Sequence, residues 1–177
     1  QLTSAVTPDD RGLRFRPGPG ELAIVESRAG LMSDDLAERV AEIATGIGLS
    51  VSPALTYVVN SIRIGDREVP YSTIAGVEGL DAGGRATDPR PLFLNEWAAR
   101  DLGVKPGDRV TLDYFVWEDP GRLVTRSSAF QLAAIVPLTG PFADRDFAPH
   151  YPGITDSDNL TDWDPPFPLD LVRPGLA

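Results

Sequence analysis

The stretch VKPGDRVTLDYFVW, residues 104–117, decides the fold class of this chain. It begins with Pro106, Gly107 and Asp108, which are residues typical of a turn. Apolar and polar residues then alternate, and this pattern predicts a strand with one buried face. The side chains expected on that buried face are Val110, Leu112, Tyr114 and Val116.

The sequence after this strand predicts a return strand. Residues 118–122, EDPGR, combine Pro and Gly as a tight connection does, and residues 123–138 form a long run rich in apolar residues. The two runs together predict an antiparallel hairpin. Its return strand is expected to face the core with Phe130, Leu132, Ala134 and Val136.

The sequence before residue 104 predicts a short strand that leads into a helix. Residues 91–94, PLFL, form a brief apolar run, and Asn95 follows as a helix N-cap with Glu96 in the first turn. Gly103 is expected to end this helix, as glycine commonly does. Its apolar side is expected to contain Trp97, Ala98 and Leu102.

Another helix is predicted earlier in the chain. Ser33 is a favourable N-cap, Asp34 and Asp35 place negative charge at the positive end of the helix dipole, and Gly46 and Gly48 supply a stop. Apolar residues recur between them at helical spacing, which predicts ordinary packing against the core. This stripe consists of Leu36, Val40, Ile43, Ala44 and Ile47.

A second hairpin is predicted between the two helices. Residues 56–64 and 67–77 are rich in β-branched residues, and Gly65 and Asp66 between them suit a two-residue turn. Pro70 favours an edge position for the return strand because proline cannot donate to a neighbouring strand. The side chains expected on one face of that strand are Val69, Tyr71, Thr73 and Val77.

These elements predict an α+β fold, with two short helices packed on a mostly antiparallel sheet and a β-rich, barrel-like C-terminal half. We expect one mixed domain over residues 1–138, divisible into subdomains at about 20–78 and 91–138. Residues 139–177 are acidic, rich in proline and expected to form an irregular tail or linker.

The overall charge and composition exclude several classes of function. The net charge is −10, from 26 acidic and 16 basic residues, which disfavours binding to nucleic acid. The absence of cysteine excludes disulfides and thiolate metal sites. No apolar run approaches the roughly 20 residues of a membrane span. Because it begins at Gln1 without an apolar leader, we expect the chain to be part of a longer protein or a processed product.

The chemistry-bearing residues predict a protein that is not an enzyme and has no cofactor. His150 and Ser157 lack the Gly-x-Ser-x-Gly context of a serine hydrolase, and no phosphate-binding glycine motif occurs. Oxygen ligands for Ca²⁺ cluster in the tail, but an EF-hand counted from the first of them would need Gly at Thr161 and Glu at Phe167. We therefore favour solvated turns over a calcium site at Asp156, Asp158, Asp162 and Asp164.

Aromatic residues provide the candidates for an interaction surface. Phe115 lies on the opposite face of its strand from Tyr114 and Val116, so it is expected to be exposed or to contact a partner. Trp117 and Trp163 are further candidates. The alternative, which we favour for the aromatics as a group, is that they pack in the core or attach the tail to the surface.

Two segments resemble a known family. Residues 92–112, LFLNEWAARDLGVKPGDRVTL, are similar to the extracytoplasmic core domains of MacB/FtsX-like ABC transporter permeases. The tail segments PGITDSD at 152–158 and DWDPPFP at 162–168 look like a subset of that family with a long insert between its transmembrane helices.

The resemblance implies an integral membrane parent protein whose domain lies on the extracytoplasmic side of a bacterial cell membrane. Its expected partners are the rest of the permease, a separate ATP-binding subunit or domain, and a second permease copy. The implied function is to couple ATP-driven motion to export or extraction of a lipid, lipoprotein, peptide or drug.

The alternative is a small β-barrel ligand-binding module of a soluble protein. The order helix, Leu-Gly-x-x-x-Gly-Asp, strand at residues 95–112 also occurs at the start of small barrels such as the double-psi type. An enzyme is the third and least favoured interpretation.

Overall fold

Nine elements follow one another along residues 12–18, 21–78 and 90–139, which are the residues that this computed structural model describes. Seven are strands and two are helices. In chain order they are β1 (Leu13–Pro17), β2 (Ala23–Ser27), α1 (Asp34–Gly46), β3 (Ala54–Ile64), β4 (Arg67–Val77), β5 (Pro91–Asn95), α2 (Glu96–Leu102), β6 (Arg109–Glu118) and β7 (Arg122–Val136).

The strands form two sheets. β1 and β2 make an antiparallel pair, and the other five make a sheet in the order β4-β3-β6-β7-β5. Every neighbouring pair in the larger sheet is antiparallel except β5 and β7, which are parallel. The larger sheet is curled into a half-barrel. The expected α+β fold with mostly antiparallel sheet is therefore confirmed.

The predicted hairpin between the helices forms as β3 and β4. Ile64 pairs with Arg67 across the two-residue turn, and Gly65 has a φ of 54°, a conformation that glycine adopts without strain. Pro70 lies in a strand at the edge of the sheet, as expected.

The prediction of one common face for β4 holds for Val69 but fails for the residues after it. Val69 is buried in the core, but Ile74 also packs against the core five residues later, and Thr73 is exposed. Strict alternation would place Val69 and Ile74 on opposite faces. Tyr71, with a φ of 46°, interrupts the extended backbone between them, so the two halves of β4 face the core with different residues. Of the remaining predicted residues, Val77 is half-buried.

The predicted hairpin of β6 and β7 contributes the centre of the core. Val110 and Leu112 are buried, while Tyr114 and Val116 are half-buried on the same side of β6. On β7, Leu132 is buried and Phe130 packs against the core, as expected.

A register irregularity changes the end of the predicted inward face of β7. The pairing of β5 with β7 shifts between Leu92 and Phe93, so that Leu94 lies beside Ile135. An extra residue of this kind moves the following side chains to the opposite face. Ile135 therefore packs against the core where Ala134 was predicted, and Val136 is buried beside Asn95 outside the main cluster.

Helix α2 covers the open side of the curled sheet. It contacts β5, β7 and also β4, so it reaches both edge strands. Asn95 Oδ1 accepts a hydrogen bond of 2.8 Å from the backbone N–H of Ala98, and Gly103 ends the helix with a φ of 65°, both as predicted. The residues it buries are Ala98, Ala99 and Leu102, whereas Trp97, predicted on the apolar side, is exposed.

Helix α1 forms where predicted but does not pack as predicted. None of its residues is buried. Its apolar stripe was expected to join the core, but Ile43 is 68% exposed and Ile47 is 72% exposed. Ser33 occupies the N-cap position without a side-chain capping bond. Amphipathic spacing fixes which residues share a face, but it does not supply a surface for that face to cover.

The two expected subdomains, at about 20–78 and 91–138, both contribute strands to the larger sheet. Their strands are joined where β3 pairs with β6. Beyond residue 139, the predicted tail lies outside the described residues.

Candidate interaction surface

The hairpin of β6 and β7 continues beyond the ladder that joins it to β3. β6 pairs with β7 along its whole length, but the ladder between β3 and β6 contains only three pairs, from Arg63 beside Thr111 to Ser61 beside Asp113. Residues 114–126 therefore form a two-stranded segment outside that ladder, which we call the hairpin arm.

One face of the hairpin arm presents aromatic and apolar groups. Phe115 and Trp117 lie on this face, opposite Thr125 and Leu123 of β7. Trp117 is 69% exposed, and Phe115 is half-buried. The Trp117 ring lies beside the turn, since a Cβ atom at Gly121 would be 3.7 Å from its Cζ2 atom. Of the predicted interface residues, Trp117 is thus the more exposed, and it lies near the end of the arm.

Tyr57 of β3 holds the base of the arm. Its hydroxyl donates a hydrogen bond to the backbone carbonyl of Phe115. Its ring meets the ring of Tyr114 edge to face, with centroids 6.3 Å apart and planes at 87°. Edge-to-face pairs of this kind are favourable because the positive edge of one ring meets the negative face of the other. These contacts connect β3 to the arm beyond the last ladder pair.

Ion pairs lie near the tip of the arm. Arg126 donates to Glu118 Oε1, and Arg122 lies 3.6 Å from Glu118 Oε2. The hydrogen bond from Arg126 lowers the pKa of Glu118. Both arginines are largely exposed and Glu118 is partly exposed to water, which screens their attraction, so they contribute little to stability.

A polar network ties the arm to the sheet at its base. Arg63 donates to both oxygens of Asp113, through Nε to Oδ2 at 2.9 Å and through Nη2 to Oδ1 at 3.3 Å. Ser61 donates to Oδ2 at 3.1 Å, and Ser127 donates to Oδ1. Three side chains from β3 and β7 therefore converge on one carboxylate of β6, and three adjacent strands are connected on the face opposite the core.

The electrostatics of this network suit a structural role. The hydrogen bond from Arg63 is the largest cause that lowers the pKa of Asp113 to about 2, with further hydrogen bonds from Ser127 and Ser61, while partial burial opposes the shift. A carboxylate of such low basicity is a poor general base for its neighbouring hydroxyls near neutral pH. The network is therefore best described as a connection between strands.

The remaining predicted site residues lie outside the described residues. These are Trp163, the hypothetical calcium ligands Asp156, Asp158, Asp162 and Asp164, and the residues His150 and Ser157. Over residues 12–18, 21–78 and 90–139, no three acidic or histidine side chains are grouped as metal ligands. No helix in that part of the chain is long and apolar enough to cross a membrane.

Sequence reasoning missed Tyr57, Ser61 and Arg63 as neighbours of the hairpin arm. The sequence places Ser61 and Arg63 two residues apart and therefore on one face of a strand. It also places Asp113 on the polar side of its own strand. What it does not contain is the pairing of β3 with β6, which alone brings these residues together.

No protein-family model matches this chain, and no curated protein matches it.

Proposed function

We propose that this chain is a non-catalytic extracytoplasmic domain of an ABC transporter permease. In this role it couples the ATP-driven motion of its transporter to the export or extraction of a lipid, lipoprotein, peptide or drug. The observation that carries the proposal is the resemblance of residues 92–112 to the core domains of MacB/FtsX-like permeases.

The arrangement of the resembling segment supports this proposal. Residues 92–112 comprise most of β5, all of α2, the following turn and the start of β6. The turn is closed by Lys105 N–H, which donates to Asp108 Oδ2 at 2.9 Å, and by Gly107 N–H, which donates to the Leu132 carbonyl at 2.7 Å. The segment thus organises the core, as expected for a framework that transmits force rather than one that performs chemistry.

Two exposed apolar surfaces also support it. A domain that relays motion must attach to neighbouring parts of the transporter, and exposed apolar groups in clusters are typical attachment sites. Trp117 at the end of the hairpin arm and the stripe containing Ile43 and Ile47 on α1 are such groups.

The first test concerns the complete parent protein. We expect its reading frame to encode several apolar segments of roughly 20 residues each, and its full-length product to sediment with membranes. A parent without such segments, recovered in the soluble fraction, would remove the proposal.

The second test compares two exposed tryptophans in the full-length protein. Trp117→Ala is expected to reduce ATP-dependent transport, because the arm then loses its principal contact group. Trp97→Ala is the matched control, since Trp97 is also exposed but lies on α2 rather than on the arm. Equal transport by both variants and the unmodified protein would contradict a coupling role for the arm.

The curled sheet favours one alternative, a small β-barrel ligand-binding module. Against it, the largest fully buried side chains include Leu102 and Leu132, and α2 covers the open side of the sheet, so the described interior is filled. A ligand-binding module should gain several degrees of thermal stability from a suitable small molecule. A screen that raises the melting temperature, combined with a soluble parent, would favour this alternative.

A further inference from the structure

Strand β4 forms one edge of the larger sheet, and a hydrogen bond at its C-terminal end shows which of its later residues point outward. Within the described residues, β4 pairs only with β3. Glu78 N–H donates to the Pro53 carbonyl at 3.0 Å, so the backbone groups of Glu78 point toward the β3 side. The backbone groups of successive residues alternate in direction in an antiparallel pair. The outward-pointing residues after Tyr71 are therefore Thr73, Ala75 and Val77.

The two halves of β4 differ in their protection against another strand. The first half contains the charged residues Arg67 and Glu68, then Pro70, then Tyr71 with its positive φ of 46°. Charges, proline and distorted backbone are the usual devices that keep edge strands from pairing. Residues 72–77, STIAGV, contain none of these devices. We call them the open edge.

The opposite outer strand does not share this feature. β5 has only five residues, begins with Pro91 after Arg90, and runs directly into α2. Short length, proline and a flanking charge all limit strand addition. Among the two outer strands of the described sheet, β4 alone presents an extended uncharged segment.

We propose that the open edge pairs in antiparallel fashion with the open edge of a second copy of this chain. Any partner must itself offer a strand with unpaired backbone groups, and the second copy offers this one. Two-fold pairing places like residues near one another, which is unfavourable for charged residues but not for an uncharged segment. The inference depends on β4 alone and does not require the transporter proposal.

The pairing is of modest size. Six residues span about 20 Å of strand, and three outward-pointing residues on each copy supply at most about six hydrogen bonds between the copies. The joined sheets would form one continuous sheet across a two-fold axis. A contact of this size should dissociate on dilution, so association should depend on protein concentration.

The test is the sedimentation behaviour of the full 177-residue chain over a range of concentrations. The unmodified chain is expected to show a monomer–dimer equilibrium. Thr73→Lys with Ala75→Lys places two charges on exposed positions of the open edge and is expected to weaken association at least tenfold.

The matched control is Thr45→Lys with Ala37→Lys. It changes the same residue types by the same charge at exposed positions of α1 and should leave association unchanged. Circular dichroism and melting temperature establish that each variant is folded. A chain that stays monomeric at the highest concentration, a dimer that tolerates the β4 charges, or a dimer that only the α1 charges disrupt would each overturn the inference.

A label experiment identifies the surface directly. The chain has no cysteine, so a single Ala75→Cys carries a nitroxide at one position only. In the dimer this label should show strong spin–spin broadening, since two open edges bring it close to its counterpart in any antiparallel register. A nitroxide at Thr45→Cys should show none. Broadening at Thr45 without broadening at Ala75 would place the contact on α1 and refute pairing through β4.

Discussion

The two helices of this protein have opposite relations between sequence pattern and burial. α1 has 13 residues, a regular apolar stripe and two acidic residues in its first turn, yet it buries none of its side chains. α2 has 7 residues and an exposed tryptophan, yet it buries three side chains, including Leu102, which is only 1% exposed.

The difference shows that burial is decided by the attachments of a helix rather than by its periodicity. α2 begins directly after the last residue of β5, and the turn after it is hydrogen-bonded to β7, so both of its ends are fixed to the sheet. α1 is followed by residues 47–53 before β3 begins and contacts no strand extensively. Most helical stability in proteins comes from packing, so α1 must depend on its own local interactions.

The largest expected effect is the truncation of Leu102. Leu102→Ala removes a fully buried side chain from the core cluster and should lower the free energy of unfolding by about 2–5 kcal/mol. Ile43→Ala, on the exposed stripe of α1, should lower it by less than about 0.5 kcal/mol. Denaturation in urea measures both values. A loss for Ile43→Ala comparable to that for Leu102→Ala would mean that α1 is packed after all.

The glycines at the ends of the two helices should respond with opposite signs. Gly103→Ala forces a side chain into a φ of 65° and places its Cβ 2.1 Å from Nη1 of Arg67, so it should cost about 1–2 kcal/mol. Gly46 is the last residue of α1, and a Cβ there meets nothing within 4 Å, so Gly46→Ala should raise helix stability by about 0.5–1 kcal/mol.

Hydrogen exchange is the suitable measurement for this pair, because it resolves α1 and α2 separately. Adding Arg67→Ala to Gly103→Ala should recover the part of the loss that comes from the contact with Arg67. Slower exchange in α2 of the Gly103→Ala variant would contradict the assignment of strain to this position.

Acid should weaken the sheet that supports α2 without affecting α1. The pKa of Asp113 is lowered from its ordinary value of 3.8 to about 2, so its ionised form stabilises the folded chain above pH 4. This contribution is lost as the pH falls through about 2. Asp113→Asn should cost about 1–2 kcal/mol at neutral pH, because Arg63 is 41% exposed and water screens part of the interaction.

The stability difference between the unmodified chain and Asp113→Asn should therefore shrink between about pH 4 and pH 2, as measured by urea denaturation at each pH. Amide exchange within α1 should be the same in both proteins. A difference that stays constant down to pH 2 would show that the carboxylate is not held ionised by Arg63 and the two serines.

The smallest expected effect concerns the helix caps. Asn95 Oδ1 accepts from Ala98 N–H, so Asn95→Ala should destabilise the chain by about 1 kcal/mol. Ser33 makes no side-chain capping bond, so Ser33→Ala should change stability by only a few tenths of a kcal/mol. Thermal unfolding of the two single variants provides the comparison. An equal loss from both would indicate that Ser33 caps α1 in solution.

Local features of the fold were predictable because they depend on neighbouring residues. The turn at Gly65 and Asp66, the cap at Asn95, the stop at Gly103 and the alternation along β6 are all properties of short segments. In the candidate surface, the exposure of Trp117 at the end of a hairpin was predictable for the same reason.

Features that depend on distant residues were not predictable. The convergence of Ser61, Arg63 and Ser127 on Asp113 requires the order of the strands, which no local pattern specifies. The shift that brings Ile135 beside Leu94 requires the parallel pairing of β5 with β7. The exposure of α1 reflects the lack of a packing surface for it among the described residues, and periodicity contains no information about partners.

The parallel pairing of β5 with β7 determines when the sheet can be completed as the chain is synthesised. Each hairpin can form from residues that are made one after another, but β5 pairs with a strand made only after β6. Until β7 emerges, Leu94 and Leu102 lack Leu132, which belongs to the same core cluster in the finished protein. A nascent chain that pauses before residue 131 therefore exposes an unpaired apolar strand and an undocked helix, which is when the protein is most vulnerable to misfolding.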